Sequence, residues 1–118
     1  MVVLLAISLS PLVALGCDCA SKLNDTTADV VFEGTAERAI RWNQVGAPDV
    51  QAFVRHGFIS SVVLKGPDRN YFFVDTSVTD CGYPFEEGKR YRVYAQLYRR
   101  SGIEWLVGIC SKTAQIRK

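Results

Sequence analysis

Ala52–Leu64 reads AFVRHGFISSVVL, and the glycine inside it, Gly57, decides how the chain is read. The run is rich in β-branched and aromatic residues, which marks a strand. It is far longer than the usual strand of about 5–6 residues. A glycine inside such a run predicts a bend, and a bent strand serves two sheets at once. Upstream, Asp29–Ala39 (DVVFEGTAERA) repeats the device, with a β-branched start and Gly34 in its middle. Between them Ile40–Gln51 carries Asn43, Gly46, Pro48 and Asp49 and reads as a loop.

Downstream, Lys65-Gly66-Pro67-Asp68 is a turn by its Gly and Pro chemistry. Asn70–Thr76 (NYFFVDT) is a third strand, and Ser77–Gly88 a loop holding Cys81, Gly82 and Pro84. Lys89–Arg99 (KRYRVYAQLYR) alternates cleanly. Ser101-Gly102 is a hairpin turn, and Ile103–Ile109 a fifth strand ending at Cys110. Ser111–Lys118 reads as a short helix or a tail. Five strands, two with internal glycines, predict an all-β fold with small α content. The expected architecture is the five-stranded Greek-key barrel called the OB-fold. A β-sandwich calls for about seven strands.

Met1–Gly16 contains no charged residue and is apolar except for Ser8, Ser10, Pro11 and Gly16. Ala14-Leu15-Gly16 sets small residues where a signal peptidase reads, so residues 1–16 are expected to be a signal peptide, although a positive start is missing. The run is shorter than the roughly 20 residues that span a bilayer. Residues 17–118 are then one domain, and they hold all the charge, a net +2 that calls for no nucleic-acid partner. Secretion to the extracellular space is the expectation, with a periplasmic or lipid-anchored location as the alternative.

All four cysteines, Cys17, Cys19, Cys81 and Cys110, lie behind the leader, as expected for disulfides in an oxidising compartment. A Cys17–Cys19 bridge would close a small strained ring. Both remaining pairings tie the N-terminus to distant parts of the chain, each for about 4 kcal/mol in the chain-entropy model. A C-x-C followed by isolated cysteines and one histidine, His56, does not match zinc-site spacing. Lipidation of Cys17 would leave an odd cysteine, and Leu15-Gly16 suits a lipoprotein signal poorly, so no membrane attachment is expected without it.

No catalytic set can be assembled, so the chain is read as a non-enzyme. Asp75, Asp80, Glu86 and Glu87 are expected to be solvated charges, and Trp42 and Trp105 packing residues. On the fourth strand, period two puts Arg90, Arg92, Tyr94, Gln96, Tyr98 and Arg100 on one side. Tyr91, Val93, Ala95 and Leu97 are then on the core side. The first set defines an alternative function: an exported, disulfide-stapled module binding a polyanion, a glycan or another surface partner.

Five motifs occur in order along the domain. Cys17-Asp18-Cys19 opens it, Asp29-Val30-Val31-Phe32 starts the first strand, and Val63-Leu64-Lys65-Gly66-Pro67 closes the second. Cys81-Gly82-Tyr83 follows the third, and Gly108-Ile109-Cys110-Ser111 ends the fifth. From Cys17 to about Ser111 the chain resembles the tissue inhibitors of metalloproteinases, within the broader netrin-like modules. The resemblance implies Cys17–Cys81 and Cys19–Cys110 bridges. It implies a minimal, single-domain relative, without the C-terminal domain and third disulfide of animal members, acting as a monomer without a cofactor of its own.

It further implies secreted inhibition of a zinc metalloprotease. The amine and carbonyl of Cys17 would chelate the protease zinc, Asp18 would enter the S1′ pocket, and Cys19 and Ala20 would continue along the cleft. Ser77, Val78, Thr79 and Asp80 would form the adjacent ridge. The family places a small or hydroxyl residue where this chain has Asp18. A carboxylate desolvated beside a catalytic glutamate costs several kcal/mol, so Asp18 requires a basic pocket or excludes ordinary matrix metalloproteases.

Overall fold

The two glycine-bearing strands form a long antiparallel hairpin, and each has a second neighbour along only part of its length. They are β1 (Val30–Asn43) and β2 (Ala52–Lys65). After them come β3 (Tyr71–Ser77), β4 (Arg90–Arg100), β5 (Ile103–Leu106) and β6 (Ala114–Gln115). The computed structural model describes residues 17, 19, 21–43, 52–100 and 102–117. The expected leader Met1–Gly16, the candidates Asp18 and Ala20, and most of the Ile40–Gln51 loop lie outside the described residues.

Hydrogen-bonded neighbours run β1-β2-β3-β5-β4-β6, and β1 also pairs with β4. Five strands thus close a ring, with β6 attached to β4. Every contact in the ring is antiparallel except β3 with β5, where Val74 faces Trp105. β1 gives only Val30–Thr35 to β4, while Val31–Asn43 follows β2. The register between β1 and β2 breaks at Val31/Phe32, at Glu33/Gly34 and again at Ala36/Ala39. At the last break Glu37 and Arg38 oppose Gly57 alone, a bulge that bends the hairpin.

The glycines also permit close approach. A Cβ on Gly34 would sit 2.7 Å from the Ile59 carbonyl oxygen, and one on Gly57 would meet the Tyr71 hydroxyl at 1.9 Å. Tyr71 therefore lies across Gly57. At the hairpin turns Gly66 and Gly102 adopt φ of 103° and 86°, which L side chains rarely tolerate.

Inside the ring Phe32 stacks on Phe72 with centroids 4.3 Å apart, and Phe58 meets Phe32 edge-on at 5.5 Å. Val30, Val74, Val93 and Trp105 complete the centre of this core. Each such side chain contributes about 1.5–3 kcal/mol by burial. Val31 points outward into a smaller cluster with Ala28 and Tyr94, against which Leu23 packs. The Val30-Val31-Phe32 run is buried on both faces because the chain before β1 covers its outer side.

Several expectations are corrected. β1 runs through Ile40–Asn43, which pair with Ala52–Arg55, so the first part of the expected loop is strand. Every regular element among the described residues is a strand, and the C-terminal segment supplies β6, pairing Ala114 and Gln115 with Arg92 and Tyr91. Tyr94, expected on the exposed side of β4, is buried beneath Leu23 and bonded through its backbone to Ser111 and Thr113. Leu97, expected in the core, is 41 % exposed, where the register against β5 breaks. Asp75 is not a solvated loop charge. It is fully buried on β3, held by Arg55 Nε and Nη2 at 3.1 and 3.0 Å. The same guanidinium donates to the Gly102 carbonyl at 2.8 Å, tying the β4–β5 turn to β2 and β3.

Candidate functional site

The ridge starts where β3 ends. Thr76 Oγ1 accepts the Tyr83 N–H at 2.7 Å, turning the chain back on itself. Ser77 Oγ accepts the Thr79 N–H, and Thr79 Oγ1 accepts the Cys81 N–H, at 3.1 and 3.2 Å. The Thr79 carbonyl takes the Gly82 N–H at 2.9 Å. Such side-chain turns are what Ser and Thr do outside regular structure. The segment Ser77–Cys81 is therefore held by its own hydrogen bonds, with Val78, Thr79 and Asp80 exposed.

Gly82 anchors the ridge. It bridges to Gly108, and the Ile109 N–H donates to the Cys81 carbonyl at 2.8 Å. A Cβ on Gly82 would fall 1.8 Å from the Ser77 carbonyl oxygen, a backbone atom that cannot swing aside. Gly82→Ala is expected to cost about 2–3 kcal/mol through this overlap, read by urea unfolding. An unchanged midpoint would show that the turn is not held as described.

Two disulfides dock the N-terminus beside this ridge. Cys17 joins Cys81 across 64 residues, with Cα atoms 5.5 Å apart, and Cys19 joins Cys110 across 91 residues, at 5.4 Å. This is the pairing that the resemblance implied. Leu23 continues the attachment, donating to the Cys110 carbonyl and accepting from Lys112 N–H, at 3.1 and 2.9 Å. Asn24 Oδ1 then caps the next turn by accepting the Thr26 and Thr27 N–H groups. The described candidates Cys17, Cys19, Ser77, Val78, Thr79 and Asp80 thus meet at one end of the ring, with Cys17 half-buried and Cys19 exposed. Asp18 and Ala20 belong to the same segment and lie outside the described residues.

Two hollows flank the ridge, neither of them legible beforehand. One of about 300 Å³ runs under the disulfides between Leu23, Phe53, Leu106 and Ile109. The other, about 280 Å³, lies between the ridge, Tyr83 and His56. His56 is 4 % exposed and donates from Nδ1 to the Glu37 carbonyl at 3.1 Å, with Phe85 edge-on to its ring. Burial pushes its pKa below the ordinary value of 6.5.

The unfolded chain therefore takes up the His56 proton at higher pH than the folded one. This part of the stability is complete above the unfolded pKa of 6.5 and is lost as pH falls through the lower folded value. His56→Gln is expected to flatten the stability profile below pH 6.5, measured by urea midpoints across that range. An unaltered slope would assign the acid sensitivity to carboxylates instead.

The basic side of β4 is answered by an acid on its neighbour. Arg92 donates from Nε and Nη2 to Glu33 Oε2 at 2.8 and 2.6 Å, and Arg90 lies 3.9 Å from the same carboxylate. Glu33 on β1 opposes Arg92 directly in the register, a pairing that only the closure of β1 onto β4 creates. The Arg100 side chain lies outside the described residues.

Among the described residues no three His, Cys, Asp or Glu side chains converge as a metal site, and each cysteine is bonded to another. Two disulfides within one chain fit an oxidising environment. No protein-family model matches this chain, and no curated protein matches it.

Proposed function

We propose that this chain is an exported inhibitor of zinc metalloproteases, a minimal relative of the tissue inhibitors of metalloproteinases built on an OB-fold barrel. The observation that carries the reading is the bond from Cys17 to Cys81, immediately after the self-bonded ridge Ser77–Asp80. The barrel reading rests on the ring order β1-β2-β3-β5-β4-β1 with its one parallel contact, the connectivity of a five-stranded Greek-key barrel.

In this proposal removal of residues 1–16 frees the α-amine of Cys17. An α-amine has a pKa of about 8, so an appreciable neutral fraction is present at pH 7. That nitrogen and the Cys17 carbonyl oxygen bind the open position of the protease zinc, displacing its water. The Cys17 sulfur takes no part, since it is held by Cys81. The disulfide removes in advance the freedom that a loose terminus would lose on docking. Asp18 enters S1′, Cys19 and Ala20 continue along the cleft, and Ser77–Asp80 lies alongside. The polyanion reading of β4 is carried no further, because Tyr94 is buried and Arg92 is engaged by Glu33.

The oxidised protein beginning at Cys17 is titrated against a panel of zinc metalloproteases that includes enzymes with basic S1′ pockets. The expected result is inhibition of at least one enzyme, competitive with a small hydroxamate that occupies the zinc. Inhibition indifferent to the hydroxamate, or none across the panel, contradicts the reading.

A further inference from the structure

A third concave surface lies away from the ridge, on the outer face of β1, β2 and β3. It is a groove of about 500 Å³ whose floor is Gly57 and whose walls include Ile40, Ile59, Tyr71 and Phe73. These walls are unusually open: Ile40 is 60 %, Ile59 52 % and Phe73 49 % exposed. A contiguous apolar hollow of this kind is left uncovered at a cost in solubility and marks a contact site.

The aromatic part of the groove is rigid. Tyr71 crosses Gly57 and donates its hydroxyl to the Glu37 carboxylate. Phe73 stands edge-on to Tyr71 at 5.2 Å, and the Arg55 guanidinium lies 5.7 Å over the Phe73 ring. Arg55 is itself fixed by buried Asp75. The rings are thus set before any ligand arrives, which lowers the entropy cost of binding.

The rim decides the class of ligand. Glu37 and Glu87 face the hollow together with Arg38 and Arg55, so the signs are mixed, and the Arg55 charge is already answered by Asp75. Such a rim gives a polyanion no net attraction. It offers acceptors and donors around flat apolar rings, which suits a neutral ligand with C–H faces and a girdle of hydroxyls. The volume falls in the range of small-molecule sites. We propose that this groove binds a neutral oligosaccharide, one sugar face resting on Phe73, with Tyr71 walling the sugar at 79° to that ring and the sugar hydroxyls bonded by Glu37 and Glu87. The proposal is independent of the inhibitory ridge and requires no protease.

The test is calorimetric titration of the oxidised protein with cellohexaose, maltohexaose, mannohexaose and N-acetylchitohexaose, with a heparin hexasaccharide as the anionic comparator. Phe73→Leu keeps an apolar side chain but removes the flat face, and Phe73→Trp restores it. At least one neutral hexasaccharide is expected to bind, at least tenfold more weakly to Phe73→Leu, with Phe73→Trp restoring affinity and Arg92→Ala leaving it unchanged. No binding of any neutral hexasaccharide overturns the proposal. So does binding that ignores Phe73→Leu, binding of the heparin fragment alone, or self-association by light scattering that Phe73→Leu abolishes while no sugar binds.

Discussion

Replacing Cys19 and Cys110 together by serine is expected to lower the unfolding free energy by about 4 kcal/mol. The bridge spans 91 residues, and closing so long a loop removes a large share of the unfolded chain's freedom. A domain of this size has a total stability of about 5–15 kcal/mol, so a folded variant survives with little margin. The melting temperature should fall by about 15–30 °C, read by circular dichroism without reductant. The remaining Cys17–Cys81 bond keeps the terminus attached, so a residual folded fraction is expected at low temperature. A change below about 1 kcal/mol would mean that Leu23, bonded on both sides to Cys110 and Lys112, holds the N-terminal segment without the sulfur link.

The second large effect is expected at Arg55→Ala. Asp75 is fully buried, and Arg55 supplies its charge-assisted hydrogen bonds. Removing one partner of such a pair leaves an uncompensated buried charge, at about 3–5 kcal/mol. The Arg55 side chain is 28 % exposed, and water reaching the pair reduces the expected loss to about 2–3 kcal/mol. Arg55→Met combined with Asp75→Leu should be milder than Arg55→Ala alone, because no charge is then stranded. Urea unfolding of the three proteins separates the cases. A double variant worse than the single one would show that a stranded Asp75 carboxylate is not what costs Arg55→Ala its stability.

The strands of this fold are legible because their signals are local. Gly57 and Gly34 announce the bulged hairpin, and Gly66 and Gly102 its neighbouring turns, where backbone geometry selects glycine. What is not legible depends on partners far away in the chain. Asp75 looks like one acid among several near a loop until Arg55 is brought opposite it by the β2–β3 register. Tyr94 obeys the period-two pattern of β4, yet a second layer made by Leu23 and Ala28 covers it. Leu97 breaks the pattern because the β4–β5 register slips there. β6 pairs through a two-residue segment, Ala114–Gln115, too short for any periodicity to declare.

The candidate site divides in the same way. Its cysteines and the Ser77–Asp80 segment can be named from motifs, and the structure brings the described ones to a common end of the ring. The hydrogen bonds that stiffen the ridge, and the close approach of Gly82 to the Ser77 carbonyl, emerge only with the fold. The groove beside Phe73 is hidden in the sequence because Tyr71 and Phe73 alternate with Phe72 and Val74. Both sets are apolar, so nothing local marks which one faces the core.

The central claim is that a backbone amine, held in place by the Cys17–Cys81 bond, is what meets a protease zinc. The most direct measurement compares two oxidised proteins against the same metalloprotease, one starting at Cys17 and one carrying a single extra alanine before it. The extra residue turns the amine into an amide nitrogen that cannot ligate zinc, leaving the ridge and both disulfides intact. The account predicts inhibition by the first and a loss of at least a hundredfold in the second. Equal inhibition by both would contradict chelation through Cys17.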